Sequence, residues 1–386
     1  MNRIYLDYSA STPVDPHVLE RMLPYLQEHF ANASSTHGPG REARVAIDHA
    51  RERVAQVLNG APAEIVFTSG GTEADNLAIF GIAGAFPEPR HVITSAVEHP
   101  AVLNACKALQ NRGWQVSYVL PDAAGCVPVD AVAQEIRPTT VLISIMHVNN
   151  EVGTINDIGK LAGLAAEHRI AFHTDAVQSF GKLSIDVQRV PVSLLSFSGH
   201  KIYGPKGSGG LFVRRGLQLA PMLFGGHQER DRRGGTENTP AIVGLGAAAE
   251  LSIDRLLQDS EQLLQLSKYF WRRLAEIAPG AQLNGHPEHR LPGVLNISFV
   301  GHDSLALATR LDIAGIAVSN GSACSSGSVE PSRVLHAMGL PAERSTSALR
   351  ISLGRPTTQA EIDAALETFR DVLAIRRPAS KAQIVV

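Results

Sequence analysis

The chain has 386 residues, enough for two to three domains of ordinary size, and 44% of them are apolar. Its 35 Lys and Arg against 37 Asp and Glu leave a net charge of −2. This charge gives no excess of positive residues for binding nucleic acid or an anionic membrane. No stretch approaches the roughly 20 apolar residues that span a bilayer. The N-terminal sequence MNRIYLDYSASTP lacks the apolar run of a signal peptide, so we expect a cytoplasmic protein.

The cysteines are few and irregularly spaced. Cys106, Cys126 and Cys324 match neither a disulfide framework nor a zinc motif, which indicates reduced thiols. We predict no metal site from these spacings.

The first two thirds of the chain alternate between helical and extended patterns. Apolar residues at helical spacing predict a helix over residues 41–58, which the Asn-Gly pair at 59–60 ends. Short apolar runs bounded by turn residues then predict buried strands at 65–67, 91–93, 116–120, 141–145, 170–172 and 194–197, with a helix at 158–168. This alternation is typical of an α/β protein with a mostly parallel sheet.

The last third has a different pattern. A long amphipathic helix is predicted over residues 247–277, followed by a strand at 294–299, a helix near 304–314, a strand near 348–352 and a helix near 359–374. We interpret this part as a smaller α+β domain. The predicted large domain covers residues 16–255, and the small domain covers 256–386 together with the N-terminal segment 1–15.

Glycines and hydroxyl groups follow the strand predicted at 65–68. The sequence Ser69-Gly70-Gly71-Thr72-Glu73 precedes a helix, and such a turn can offer backbone N–H groups and the positive end of a helix dipole to a phosphate. The same pattern also fits a simple capped helix. No Walker lysine follows, which argues against nucleotide binding of that kind.

Two further strands are followed by chemically reactive side chains. Asp175 follows the strand at 170–172, with Gln178 one helical turn later, and Lys201 follows the strand at 194–197. Ligands of parallel α/β sheets bind at the carboxyl ends of the strands, where a lysine can form a Schiff base. A turn that can bind phosphate, an Asp at a strand end and such a Lys are the parts of a pyridoxal phosphate site.

The third cysteine lies in a segment of small polar residues. Cys324 stands within the sequence SNGSACSSGS, which cannot pack a core and is therefore predicted to be an exposed loop. A thiol on such a loop is a candidate nucleophile or carrier. Cys106, on a helical stretch, and Cys126 are interpreted as bystanders.

Together these segments resemble the group I cysteine desulfurases, pyridoxal-phosphate enzymes of fold type I in the class V aminotransferase family. The motifs that carry the resemblance run in order through YLDYSA, TSGGTEADN, VEHPAV, MHVNNEVGT, HTDAVQSFGK, SFSGHKIYGPKGSGG, GGHQERDRRGGTEN, VSNGSACSSGS and ALRISLGR. The loop form GSACSSGS points to the nitrogen-fixation and iron–sulfur-cluster branch. The resemblance implies a seven-stranded, mostly parallel sheet sandwiched by helices, with a smaller C-terminal α+β domain.

The resemblance also implies a role for each matching residue. Lys201, His99 and Cys324 would be catalytic, as the Schiff-base lysine, the residue that stacks on the cofactor ring and the persulfide carrier. Arg350 would bind the substrate carboxylate with help from Asn150. The remaining cofactor contacts would be Gly71, Thr72, Asn150, Asp175, Gln178, Ser198 and His200, with Thr236 reaching the cofactor of the partner subunit in a homodimer.

The implied reaction converts L-cysteine to L-alanine and leaves the sulfur on Cys324 as a persulfide. A sulfur-acceptor protein such as an iron–sulfur scaffold would then receive it, for iron–sulfur clusters or other sulfur-containing products. The alternatives are a selenocysteine lyase or cysteine-sulfinate desulfinase on the same fold, and a non-catalytic sulfur-relay subunit. Cys324 as an iron–sulfur ligand is also left open.

Overall fold

The computed structural model describes residues 3–320 and 332–375. In chain order, its strands and helices are β1 (Ile4–Tyr5), α1 (Pro16–Gln27), α2 (Gly38–Val57), β2 (Ile65–Thr68), α3 (Gly71–Ala83), β3 (His91–Ser95), α4 (Pro100–Gln110), β4 (Gln115–Val119), α5 (Val129–Gln134), β5 (Thr140–Ser144), α6 (Ile158–Glu167), β6 (Ala171–Asp175), β7 (Leu194–Ser198), β8 (Gly209–Val213), α7 (Thr239–Ile277), β9 (Ala281–Asn284), β10 (Val294–Phe299), α8 (Ser304–Ile313), β11 (Ile316–Ala317), α9 (Arg333–Ala337), α10 (Ala342–Ser345), β12 (Ala348–Ser352) and α11 (Gln359–Ala374).

The largest sheet within the described ranges has seven strands in the order β2-β8-β7-β6-β5-β3-β4. Strand β8 runs antiparallel to both neighbours, and the other pairs are parallel. The predicted mostly parallel α/β sheet is thereby confirmed. Strand β8 was not predicted, because its glycines hide the apolar pattern. A Cβ on Gly210 would collide with the Phe197 ring, so glycine is required for this close approach.

Helices cover both faces of this sheet. On one face, α2, α6 and the first part of α7 pack into a core that includes Ile47, Phe172 and Phe197. On the other face, α3 and α4 pack into a core that includes Leu77 and Val102. Strands buried on both faces lose the polar–apolar alternation of half-exposed strands, which explains their continuous apolar runs.

A separate core forms in the C-terminal part. Strands β12-β10-β9 make an antiparallel sheet. It packs with α8, α11 and the last turns of α7 around Phe270, Ile297 and Phe369. The N-terminal segment joins this part, because β1 pairs with β11 and Leu6 lies in the same core. The domain limits 16–255 and 256–386 remain a prediction.

Within the part of the chain that the structure describes, no helix is both long enough and apolar enough to cross a membrane.

Candidate active site

Three strand ends of the large sheet converge on one site. Strand β6 ends at Asp175, β7 ends at Ser198, and β2 leads into the glycine turn that begins α3. Asp175 and Ser196 are register partners of the neighbouring parallel strands β6 and β7. Parallel strands therefore bring these side chains to one edge of the sheet, as the sequence predicted.

Lys201 lies in a short 3-10 turn, Gly199–Lys201, directly after β7. Its Nζ donates to the carbonyl oxygens of Ser9 at 2.6 Å and Ala10 at 2.8 Å. The N-terminal segment therefore holds the lysine at the sheet edge. No local pattern in the sequence indicates these two carbonyls, although Ser9 and Ala10 belong to the motif YLDYSA.

Asp175 is a buried carboxyl at the end of β6. Burial raises its pKa, while the charges of His99 and Lys201 and a 2.9 Å hydrogen bond from the Val177 N–H act in the opposite direction. A carboxylate in this position can hold a proton on a ring nitrogen of a bound ligand.

His99 is the N-cap of α4, where its Nδ1 accepts from the Ala101 N–H at 3.2 Å. Burial lowers its pKa, and Asp175 and Lys201 are among the charges that act on it. A ring nitrogen that accepts a backbone hydrogen bond and a lowered pKa both favour the neutral imidazole.

We use the name phosphate cup for the glycine turn before α3 (residues 69–72) together with Ser198 and His200, the residues that the resemblance assigns to a phosphate. Gly70 has a φ of 154°, which L side chains rarely adopt. A Cβ on Gly71 would lie 2.5 Å from Val177 Cγ2 and 3.8 Å from Ser198 Cβ, so the turn packs against the segment after β6 and the end of β7. Burial, together with the nearby Lys201, lowers the pKa of His200 to about 4.

Gln178 and Arg350 lie close to the N-terminal segment. The Gln178 Nε2 donates to the Ser9 carbonyl at 3.0 Å. Its Oε1 is buried and has no hydrogen-bond partner among the described residues. Arg350, on β12, is also buried, and its Nη1 donates to the backbone carbonyl of the half-buried Asn150 at 2.8 Å.

Among the described residues, no observed contact joins Thr236 to this cluster. Thr236 is exposed, between the antiparallel strand β8 and α7. Cys324 lies outside the described residues, so its predicted loop and role stay predictions. Cys106 and Cys126 are free thiols, and burial raises their pKa to about 12 and about 11. Such thiols are weak nucleophiles, which fits their interpretation as bystanders.

Several buried or half-buried ionisable groups near the site were not predicted from the sequence. Burial raises the pKa of Glu98 to about 8 and also raises that of Asp75, and both carboxyls interact electrostatically with Asp175. Burial lowers the pKa of Lys182 to about 7; this lysine lines a cavity together with Lys201. The sequence indicated these three groups only by their positions, because each of them lies within one of the motifs that carry the resemblance.

The residues present fit pyridoxal phosphate. The buried Asp175 carboxyl, the unpartnered Gln178 Oε1 and the donors of the phosphate cup match a ring nitrogen, a ring hydroxyl and a phosphate. Among the described residues, no group of three or more His, Cys, Asp or Glu is placed to hold a metal ion.

Comparison with known proteins first defines the class. The model of the family "Aminotransferase class-V" matches residues 4–365. Among solved structures, a NifS-like protein superimposes with a TM-score of 0.91 at 36% identity, covering 96% of this chain and 99% of that one. A structure described as SspA in complex with cysteine has a TM-score of 0.83 at 42% identity, covering 92% and 100%. The fold is thus that of a class V aminotransferase.

Sequence relatives narrow the class further. The putative cysteine desulfurase IscS 1 of Bacillus subtilis is 46% identical over 375 residues, 97% of this chain and 99% of the relative. The cysteine desulfurase IscS of Methanosarcina thermophila is 46% identical over 371 residues, 96% and 92%. The chain therefore belongs to the cysteine desulfurases of the class V aminotransferase family, as the sequence motifs predicted.

Proposed function

We propose that this protein removes sulfur from L-cysteine, forms L-alanine and carries the sulfur on Cys324 as a persulfide. The observation that supports this most directly is the position of Lys201, held at the ligand edge of the sheet by the Ser9 and Ala10 carbonyls, with Asp175 and His99 acting on it electrostatically. A non-catalytic relay subunit has no need of this arrangement.

We assign pyridoxal phosphate as the cofactor, which supplies an electron-withdrawing ring when bound. Lys201 would bind it covalently, Asp175 would hold the ring-nitrogen proton, and His99 would stack on the ring. Gln178 and Asn150 would contact the ring hydroxyl. The phosphate would lie in the phosphate cup, on Gly71, Thr72, Ser198 and His200, and contact Thr236 of the partner subunit in a homodimer.

The side chains of this chain then divide the reaction between them. Arg350 binds the substrate carboxylate in a forked, charge-assisted contact. Lys201 Nζ takes the α-proton of L-cysteine and later returns one proton to the α-carbon. The proton that the β-carbon gains is balanced by the one that the Cys324 thiol loses when it becomes a thiolate. Asp175 would keep the proton on the ring nitrogen of the cofactor, because its carboxyl group is buried and oriented by the Val177 N–H.

Sulfur transfer is assigned to Cys324. Its thiolate attacks the sulfur of the substrate, so that an S–S bond forms as the C–S bond breaks and its electron pair stays with the carbon fragment. Protonation of that fragment gives L-alanine, and the enzyme retains a persulfide. An acceptor protein, such as an iron–sulfur scaffold in the cytoplasm, then takes the outer sulfur.

The test uses intact mass and alanine formation. Wild type, Cys324→Ala and Cys126→Ala are incubated with L-cysteine under non-reducing conditions. We expect wild type and Cys126→Ala to gain about 32 mass units, one sulfur atom, and to form alanine. Cys324→Ala should retain the yellow bound cofactor but gain no mass.

Other outcomes point elsewhere. Normal alanine formation by Cys324→Ala would contradict the assignment of the carrier and favour a selenocysteine lyase or a cysteine-sulfinate desulfinase. A purified wild-type protein that takes up no cofactor would instead favour the relay subunit.

A further inference from the structure

One ion pair connects the phosphate cup to a distant segment of the chain. Arg233 lies in the segment of residues 221–238, and its Nε donates to Glu73 Oε1 at 2.8 Å while its Nη2 contacts Glu73 Oε2 at 3.4 Å. Both side chains are about one-fifth exposed, at 22% and 20%. A side-on contact of this kind fixes the orientation of both groups.

The carboxylate of this pair shapes the phosphate cup itself. Glu73 lies in the first turn of α3, and its Oε2 accepts from the Ser69 N–H at 2.8 Å. This bond closes the turn of residues 69–72. Burial raises the pKa of Glu73, but the hydrogen bonds from Arg233 and Ser69 outweigh burial, and the net pKa is lowered. The carboxylate is therefore ionised at neutral pH.

The same arrangement occurs a second time, two residues before the turn. The buried Glu229, also in segment 221–238, accepts from the Phe67 N–H at 2.9 Å, and Arg51 pairs with it at 2.7 and 2.8 Å. Glutamates thus bond to the backbone on both sides of Thr68, and an arginine neutralises each of them. Segment 221–238 therefore contacts the chain next to the phosphate cup at two points, through Glu229 and through Arg233.

The charge of Glu73 conflicts with an anionic ligand. A phosphate at the N-terminus of α3 carries negative charge, and a carboxylate in the same first turn repels it. The Arg233 guanidinium cancels that charge without removing the hydrogen bond that Glu73 makes to Ser69.

We propose that Glu73 and Arg233 are positioning residues for the cofactor phosphate: Glu73 shapes the phosphate cup, and Arg233 neutralises Glu73 and joins the cup to the segment that carries Thr236. This inference rests on the proposed pyridoxal phosphate site. It implies that phosphate binding and the placement of Thr236, three residues after Arg233, depend on each other.

The test measures cofactor affinity rather than turnover. Full-length protein is stripped of cofactor and titrated with pyridoxal phosphate and, separately, with pyridoxal, which has the same ring but no phosphate. The variants are Arg233→Ala, Glu73→Gln and the double variant. Arg53→Ala is the matched control, because Arg53 pairs with Glu250 at 3.2 Å between α2 and α7, away from the phosphate cup.

We expect Arg233→Ala to weaken pyridoxal phosphate binding by about tenfold, because Glu73 is left uncompensated beside the phosphate. Its affinity for pyridoxal should match that of wild type. The double variant should recover most of the loss, since a glutamine amide oxygen at position 73 can still accept from the Ser69 N–H without a charge. Arg53→Ala should bind both compounds normally.

The inference is overturned if Arg233→Ala binds pyridoxal phosphate as wild type does, if both compounds weaken equally, or if the double variant binds no better than Arg233→Ala. A wild-type protein that binds neither compound contradicts the proposed cofactor itself, and is thereby distinguished from a failure of this inference alone.

Discussion

The Arg350 guanidinium donates from Nη2 to Asp7 Oδ1 at 2.8 Å, although the two residues are 343 positions apart. The Asn150 carbonyl accepts from Nη1 at the same distance. Two partners therefore hold the group in one orientation before any substrate binds. The remaining Nε is buried and has no hydrogen-bond partner within the described residues.

This geometry predicts that substrate binding depends on the planar shape of the Arg350 guanidinium as well as on its charge. We expect Arg350→Lys to raise the KM for L-cysteine by roughly 100-fold, with a smaller change in kcat, because an ammonium cannot make the planar two-point contact. Alanine formation at varied cysteine concentration measures both constants. Cofactor absorbance should be unchanged, and an unaltered KM would show that the substrate carboxylate binds elsewhere.

The glycine turn of the phosphate cup allows a test by matched glycine substitutions. Gly71→Ala should abolish high-affinity cofactor binding, because its Cβ would lie 2.5 Å from Val177 Cγ2 and push α3 away from the strand ends. Gly163 lies within α6 with no heavy atom near its Cβ position. Gly163→Ala should therefore stabilise the protein by about 0.5–1 kcal/mol.

Cofactor titration and urea denaturation measure the two effects. Full cofactor affinity in Gly71→Ala would mean that α3 can move aside without loss of the phosphate cup.

The buried Glu98 predicts an unusual dependence of stability on pH. Its pKa rises from 4.5 to about 8 on folding, since burial disfavours the charged form. Between those values the folded state binds more protons than the unfolded state, so the free energy of unfolding falls as pH rises. The slope from this group is about 1.36 kcal/mol per pH unit at most.

Glu98→Gln removes that titration while preserving the shape of the side chain. We expect the variant to exceed wild type in free energy of unfolding at pH 8, with the difference shrinking towards pH 5. Urea denaturation of the cofactor-free proteins at the two pH values measures this. A constant difference at both pH values would rule out a protonated Glu98.

The buried pair of Arg51 and Glu229 predicts that removing one partner lowers the stability strongly and that a second substitution restores part of it. Both side chains are almost completely buried, at 5% and 1% exposure. Arg51→Met should cost about 3–5 kcal/mol, because it leaves an unpaired buried carboxylate. Adding Glu229→Gln should recover part of this loss. Denaturation midpoints measure the cost, and a single variant as stable as wild type would contradict it.

Much of the fold could be predicted from local patterns in the sequence. Six of the seven strands of the large sheet were predicted from apolar runs, because burial on both faces leaves a signal within four or five consecutive residues. The helix predicted over residues 41–58 is α2, Gly38–Val57, and the long helix predicted from residue 247 begins earlier, at Thr239. The residues of its first turns are nearly all buried, so they lack an amphipathic pattern.

The candidate site also has a part that could be predicted from the sequence and a part that could not. Lys201 and Asp175 could be predicted because each directly follows a strand, and the family resemblance added His99 and Arg350. The partners that orient them could not be predicted, because the Ser9 carbonyl, the Asp7 carboxylate and the Arg233–Glu73 pair come from segments far apart in the chain.

The sequence by itself determined most of the order of strands and helices, although not β8, as well as the residue types that end each strand and the family to which the chain belongs. These depend on local periodicity and on motifs of consecutive residues. Only the tertiary structure decided which groups are buried together, which charges are compensated and which carbonyl or carboxylate orients each functional side chain. Those properties depend on long-range packing, because desolvation and hydrogen-bond geometry arise only when distant segments meet.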